Sequence, residues 1–274
     1  MIDTWADQVE AGLLGLRAAI SYDTLPAGVR VDVTSRIIDT AAALLCGLHE
    51  PPCPQLRHFA QAAYPAGTVS IVGTPIRTQV ETAAFVNATT ARVAELNDTY
   101  HLPAKPGVHA SDVIFPLLAL AQANRSSGRD VIASVALAYE SCLRMFEAAP
   151  PVPGFDATNY VALGVAMGAA ALLGLDEQQA RDCISMVVVS HNLLRRVRVG
   201  QASSWKAVAS GHAGRAGLFA ALLAASRIDG PAAPFDGPSG WREAVARADL
   251  DLAPLTLAPA GRFRLSQSDR KSVV

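Results

Sequence analysis

TNYVALGVAMGAAALLGL, residues Thr158–Leu175, is the stretch on which the fold turns. It comes closest of any run to membrane-spanning length, for which about 20 apolar residues are needed. Asn159 and the glycines Gly164, Gly168 and Gly174 interrupt it, and much of its apolar share is alanine. Small residues let helix backbones approach closely, at some cost in helix propensity. A second stretch of the same kind, ASGHAGRAGLFAALLAAS, covers Ala209–Ser226. Both predict tightly packed helices in a water-soluble protein rather than a membrane span.

The composition agrees. The 274 residues allow one large domain or two small ones, with a sizeable core. Hydrophobic residues make up 51% and charged residues 17%. The net charge of −1 offers no field for nucleic acid or a membrane surface. Cys46, Cys53, Cys142 and Cys183 form no CxxC pair, which argues against zinc, iron–sulfur and disulfide frameworks and for ordinary thiols, most of them buried. The opening MIDTWADQVEAGLLGL has acids and no basic flank, unlike a signal peptide, so a cytoplasmic address is expected.

Helical periodicity extends outward from the opening stretch. Helices are predicted over Val29–Leu48, Gln79–Ala94, Asp112–Ala123, Arg129–Met145, Asp176–Val189 and Trp205–Ser226. Ser111 is the expected N-cap of the third, and Asp176-Glu177 suit the N-terminus of the fifth. Thr68–Val72 alone looks like a strand, as part of a short hairpin. The fold class is therefore all-α, a domain of antiparallel helices with at most one short β-hairpin. Proline and glycine gather over Ile228–Trp241, so the helical domain is placed at 1–246, with 247–274 a short tail too small for a second core.

Polar groups concentrate just before one buried helix, in AELNDTYHLPAKPGVHASDVIFPLL, Ala94–Leu118. Loops carrying histidine and carboxylates between packed helices are frequent functional sites. The plainer alternative is that Glu95 and Asp98 are solvated and that Ser111 and Asp112 merely open a helix. His101 reads as exposed, whereas His109 is held near the helix start and is the better candidate. A second group, Arg195-Arg196-Val197-Arg198, suits a polycarboxylate, because guanidinium matches carboxylate geometry; a solvated helix end fits it equally well. Lys206 opens a helix of small apolar residues, where a lysine needs a reason.

AAFVNATTARVAELNDT (Ala83–Thr99) followed by HASD (His109–Asp112) resembles the core motifs of the MmgE/PrpD family, which includes 2-methylcitrate dehydratase, cis-aconitate decarboxylase and an iminodisuccinate epimerase. The resemblance continues, in the family's order, through LPAGVRVDVTSRIIDTAAALLCGL, GFDATNYVALGVAMGAAALLGLD and GQASSWKAVASGHAGRAGLFAALLA to DGPAAPFDGPSGW. It implies an all-helical domain, followed in the family by an α/β lid, with the catalytic groups in the cleft between them. By motif position it implies catalytic roles for Glu95 (where the family usually has aspartate), Thr99, His109 and Lys206. Asp156 stands where the decarboxylases carry histidine, which favours dehydration. The substrate-binding set is Asp98, Asp156, Arg195 and Arg198. RFRLSQSDRKSVV, Arg262–Val274, resembles the entry to the lid, and Lys271 matches its catalytic lysine.

The resemblance implies a hydro-lyase acting on a small polycarboxylate, with no metal or other cofactor required, and a homodimer. His109 or Glu95 would take the proton, and Thr99 would orient the substrate. Epimerisation would use the same groups. The lid motifs lie beyond the sequence read here, so the alternatives are a non-catalytic dimerising scaffold or one half of a split enzyme whose lid is a separate chain.

Overall fold

The computed structural model describes residues 5–103, 105–201, 203–256 and 262–269. Among them are nine α-helices: α1 (Trp5–Ala19), α2 (Ala27–Gly47), α3 (Cys53–Ala63), α4 (Val80–Val93), α5 (Ile114–Asn124), α6 (Gly128–Ala148), α7 (Thr158–Leu172), α8 (Glu177–Ser190) and α9 (Trp205–Ala225). The only sheet among them is an antiparallel hairpin of β1 (Val69–Ser70) and β2 (Arg77–Thr78), in which Val69 pairs with Thr78. The all-α expectation holds. Helices α1 and α3 add to those expected; α3 follows Pro51-Pro52 and carries Pro54 in its first turn, where a missing N–H costs nothing.

The opening stretch is α7, and it lies at the centre. Every residue from Thr158 to Ala170 is buried, because α7 packs on α6, α8 and α9 at once. A helix surrounded by protein is apolar all round, which is why its sequence imitates a span. No described helix is long and apolar enough to cross a membrane. Glycine sets the spacing of these helices. A Cβ on Gly164 would stand 2.6 Å from the Ala138 carbonyl oxygen of α6. One on Gly211 of α9 would overlap the Phe85 carbonyl oxygen of α4.

Helices α6 and α8 begin in capping boxes, Ser127 with Asp130 and Asp176 with Gln179, as serine and aspartate at those positions favour. The expected cap at Ser111 takes another form. Ala110–Val113 is one 3-10 turn ahead of α5, and the buried Ser111 N–H donates to Asp98 Oδ1 at 3.1 Å. The cap comes from the preceding loop rather than from the local sequence. Cys53, Cys142 and Cys183 are buried free thiols and Cys46 is exposed.

The described residues past 246 fold back onto the helices. Arg144 of α6, 2% exposed, donates to the carbonyls of Pro254 and Thr256 at 2.7 and 3.2 Å. Leu265 is fully buried, and its N–H donates to Glu140 Oε1 at 3.0 Å. Asp269 and Thr99 exchange backbone hydrogen bonds at 2.9 and 3.0 Å, so this segment clasps the polar loop itself. A run of edge-to-face rings, Tyr100, Phe146, Tyr160, Trp241 and Phe235, ties the same loop to α6, α7 and the Pro/Gly segment.

Candidate active site

The site begins where α4 stops. Arg92, in the last turn of α4, is buried, and its side chain bridges two carboxylates: Glu95 Oε2 at 3.0 Å and Asp112 Oδ2 at 3.8 Å. Glu95 has φ +57°, a left-handed backbone that a non-glycine residue adopts at a cost, and such outliers gather at functional sites. Its other oxygen pairs with Lys206 Nζ at 3.0 Å, from the first turn of α9. Burial alone would raise the Glu95 carboxyl, but Arg92 and Lys206 together outweigh it and hold it at about 2. Glu95 is therefore ionised and engaged at neutral pH.

His109 ends the polar loop. Its Nδ1 lies 2.8 Å from the Asp98 carbonyl oxygen and 3.3 Å from Thr99 Oγ1. A carbonyl can only accept, so in the neutral ring Nδ1 carries the proton and Nε2 keeps its lone pair. Burial, and then the charge of Arg92, bring the imidazole down to about 3. Asp112, one turn further on, is fully buried. Burial pushes its carboxyl up to about 6, against the pull of Arg92 and Ser210.

Opposite stands the Arg195–Arg198 turn. Arg198 forms a fork onto Asp156, Nε to Oδ2 at 2.6 Å and Nη2 to Oδ1 at 3.1 Å. Asp156 is wholly buried and also accepts from the Thr158 N–H and hydroxyl at 3.1 and 2.9 Å. Its lone pairs thus serve to hold Arg198 and to open α7.

These elements enclose a cavity of about 230 Å³. Glu95, His109, Lys206, Arg195 and Arg198, all singled out from the sequence, line it together. His109 and Lys206 line the same cavity, although they come from different quarters of the chain. Four cations (Arg92, Arg195, Arg198, Lys206) face two carboxylates (Glu95, Asp112), a balance that favours anionic ligands.

The structure places other expected residues behind the wall. Asp98 is 1% exposed and does not line the cavity; Arg36 Nη1, the Tyr139 hydroxyl and the Ser268 hydroxyl meet its Oδ2 at 3.3, 3.2 and 2.8 Å. A carboxylate so saturated anchors the loop. Asp156 likewise holds Arg198 and is not part of the cavity lining. Thr99, 9% exposed, turns its hydroxyl to His109 rather than to a substrate. Lys271 lies outside the described residues. Among those described, no three His, Cys, Asp or Glu side chains are grouped to hold a metal ion.

Sequence reasoning passed over Arg92 and gave Asp112 only a helix-opening role. A signal for Arg92 existed: it is the only cation in α4, and it sits three residues before Glu95, within reach along a helix. For Asp112 the local pattern gave none, because its burial comes from several helices, α6 and α7 among them, that meet around the Ala110–Val113 turn.

The family model of the MmgE/PrpD N-terminal domain matches residues 16–252 of this chain.

Proposed function

The chain belongs to the MmgE/PrpD family, and on that premise we propose that it is a cofactor-free hydro-lyase that dehydrates a small hydroxy-polycarboxylate of the 2-methylcitrate kind. The observation that carries this reading is the shared cavity of His109 and Lys206 among four cationic side chains. Arg195, Arg198 and Lys206 bind substrate carboxylates, and Arg198 is aimed by its fork to Asp156.

His109 Nε2 takes the proton from the carbon beside a carboxylate. Electrons of that C–H bond form the alkene, the C–O bond breaks, and a proton from Lys206 lets the hydroxyl leave as water. An imidazole near 3 is a weak base for a carbon acid. The bound substrate supplies the remedy, since two or three carboxylates beside the ring stabilise its protonated form and raise its pKa. Glu95, already ionised between Arg92 and Lys206, positions the lysine and is a poor candidate for the base. Lys271 enters this reading by motif position alone.

Incubating the purified protein with 2-methylcitrate and with citrate, and following alkene absorbance, tests the proposal directly. Turnover that His109→Ala abolishes is the expected result. Silence with all such hydroxy-acids at stoichiometric enzyme would sink it. Solvent deuterium entering the substrate at carbon without alkene would point instead to epimerisation.

A further inference from the structure

A second depression, of about 670 Å³, adjoins the polar cavity, and Pro106 and Arg195 belong to the walls of both. Its lining is mostly apolar: Pro151, Val152, Pro153, Phe155, Leu194 and Val199. Prolines have no N–H, so the proline-rich wall leaves few backbone donors to strip of water when an apolar group enters; Lys105 and Arg196 complete the lining with charge. The two sides of the groove are bonded to one another. The Arg195 N–H donates to the Gly154 carbonyl and the Asp156 N–H to the Leu193 carbonyl, both at 2.9 Å, with Phe155 and Leu194 paired as an antiparallel bridge. The groove is thus preformed, as small-molecule sites usually are.

Leu194 and Val199 are 57% and 52% exposed, apolar surface set beside a cluster of cations. The polar cavity, at about 230 Å³, is smaller than the roughly 300–1,000 Å³ usual for ligand pockets and holds a charged head with little more. Continuity between the two spaces selects the occupant. A protein contact face has no need to open into a cation-lined cavity, whereas one ligand with a charged head and an apolar arm fills both.

We propose that the groove binds an alkyl substituent, several carbons long, of the same polycarboxylate whose charged head occupies the polar cavity. This rests on the function proposed above and narrows its substrate class to alkyl-substituted polycarboxylates. Arg195, common to both walls, pairs with the carboxylate nearest the branch, and the chain then runs over Phe155 and Leu194 toward Val199.

Calorimetric titration of the full chain with citrate and with 2-alkylcitrates bearing one, three and six carbons tests this without turnover. Each added methylene should tighten binding about two- to fourfold until the groove is filled. Leu194→Asn combined with Val199→Asn, neutral changes at exposed positions, should flatten that dependence while citrate still binds. Affinity indifferent to chain length in the wild type, with citrate bound, overturns the groove assignment and leaves the head-group reading standing. No binding by any member of the series overturns both. A flat series in which the double variant also dissociates a dimer in sedimentation overturns the assignment in favour of a contact between copies.

Discussion

At the scale of single residues, burial and the charge of Arg92 act together on three ionisable groups of the cavity, Glu95, His109 and Asp112. Arg92 lowers Glu95 and His109 and opposes the rise of Asp112. Lys206→Ala removes one carboxylate partner and the proton donor to the leaving hydroxyl and releases Glu95 to repel anions, so substrate affinity should fall roughly ten- to a hundredfold and kcat should fall with it. His109→Ala should lower kcat by about 10²–10⁴ with a smaller change in KM. Steady-state kinetics of the two variants separate these outcomes, and equal effects on KM would remove His109 from proton transfer. Asp112 yields a stability test. Its carboxyl is raised from 3.8 to about 6, so the folded state holds that proton more tightly than the unfolded chain. Its contribution is therefore most favourable below about pH 4 and is lost as pH rises through 6. Asp112→Asn does not titrate, and relative to wild type it should gain up to about 3 kcal/mol between pH 4 and pH 7. Urea unfolding at both pH values measures this, and a difference that does not change with pH would show Asp112 unshifted.

At the scale of elements, periodicity made most helices readable, and it failed where a cap or a boundary depended on distant groups. Asp176 caps α8 from within four residues and was legible. Asp98 receives the Ser111 N–H across thirteen residues of loop, which no local pattern encodes. The small residues of α7 and α9 announced close packing, but only the folded chain shows which helix each one faces. Gly211 meets α4, whose last turn carries Arg92, so the fit of α9 there also sets the distance from Lys206 to Glu95. Gly211→Leu should push α9 off α4 and cost about 1–3 kcal/mol. Chemical denaturation gives the stability loss, and substrate titration should show weakened binding in the fraction that stays folded. Unchanged stability would mean that the two backbones are not in contact.

At the scale of the whole molecule, the described residues past 246 are part of the body that holds the site, since Ser268 and Asp269 bind the loop of Asp98 and Thr99. One face of α2 remains apolar and open: Val31, Ile38 and Leu45 are 64%, 65% and 57% exposed at seven-residue spacing, which suits pairing with another helix. We expect a homodimer through this face, with Ile38→Glu monomeric in sedimentation at micromolar concentration; a wild-type monomer at that concentration would remove the expectation. The order of apolar, small and polar residues along the chain by itself determined the all-helical class, the family and most of the ionisable groups that line the cavity, because helical period and motif order are local properties of sequence. Tertiary structure alone decided which polar groups face the cavity and which stand behind it. Asp98 and Asp156 read from sequence as ligand-binding acids, yet Arg36 and Arg198, brought in from elsewhere in the chain, satisfy them inside the protein. Asp112 reads as a helix opener, yet packing takes it out of water and moves its pKa. Burial and the long-range pairing of charges arise only when distant segments meet, and those two terms set what an ionisable group can do.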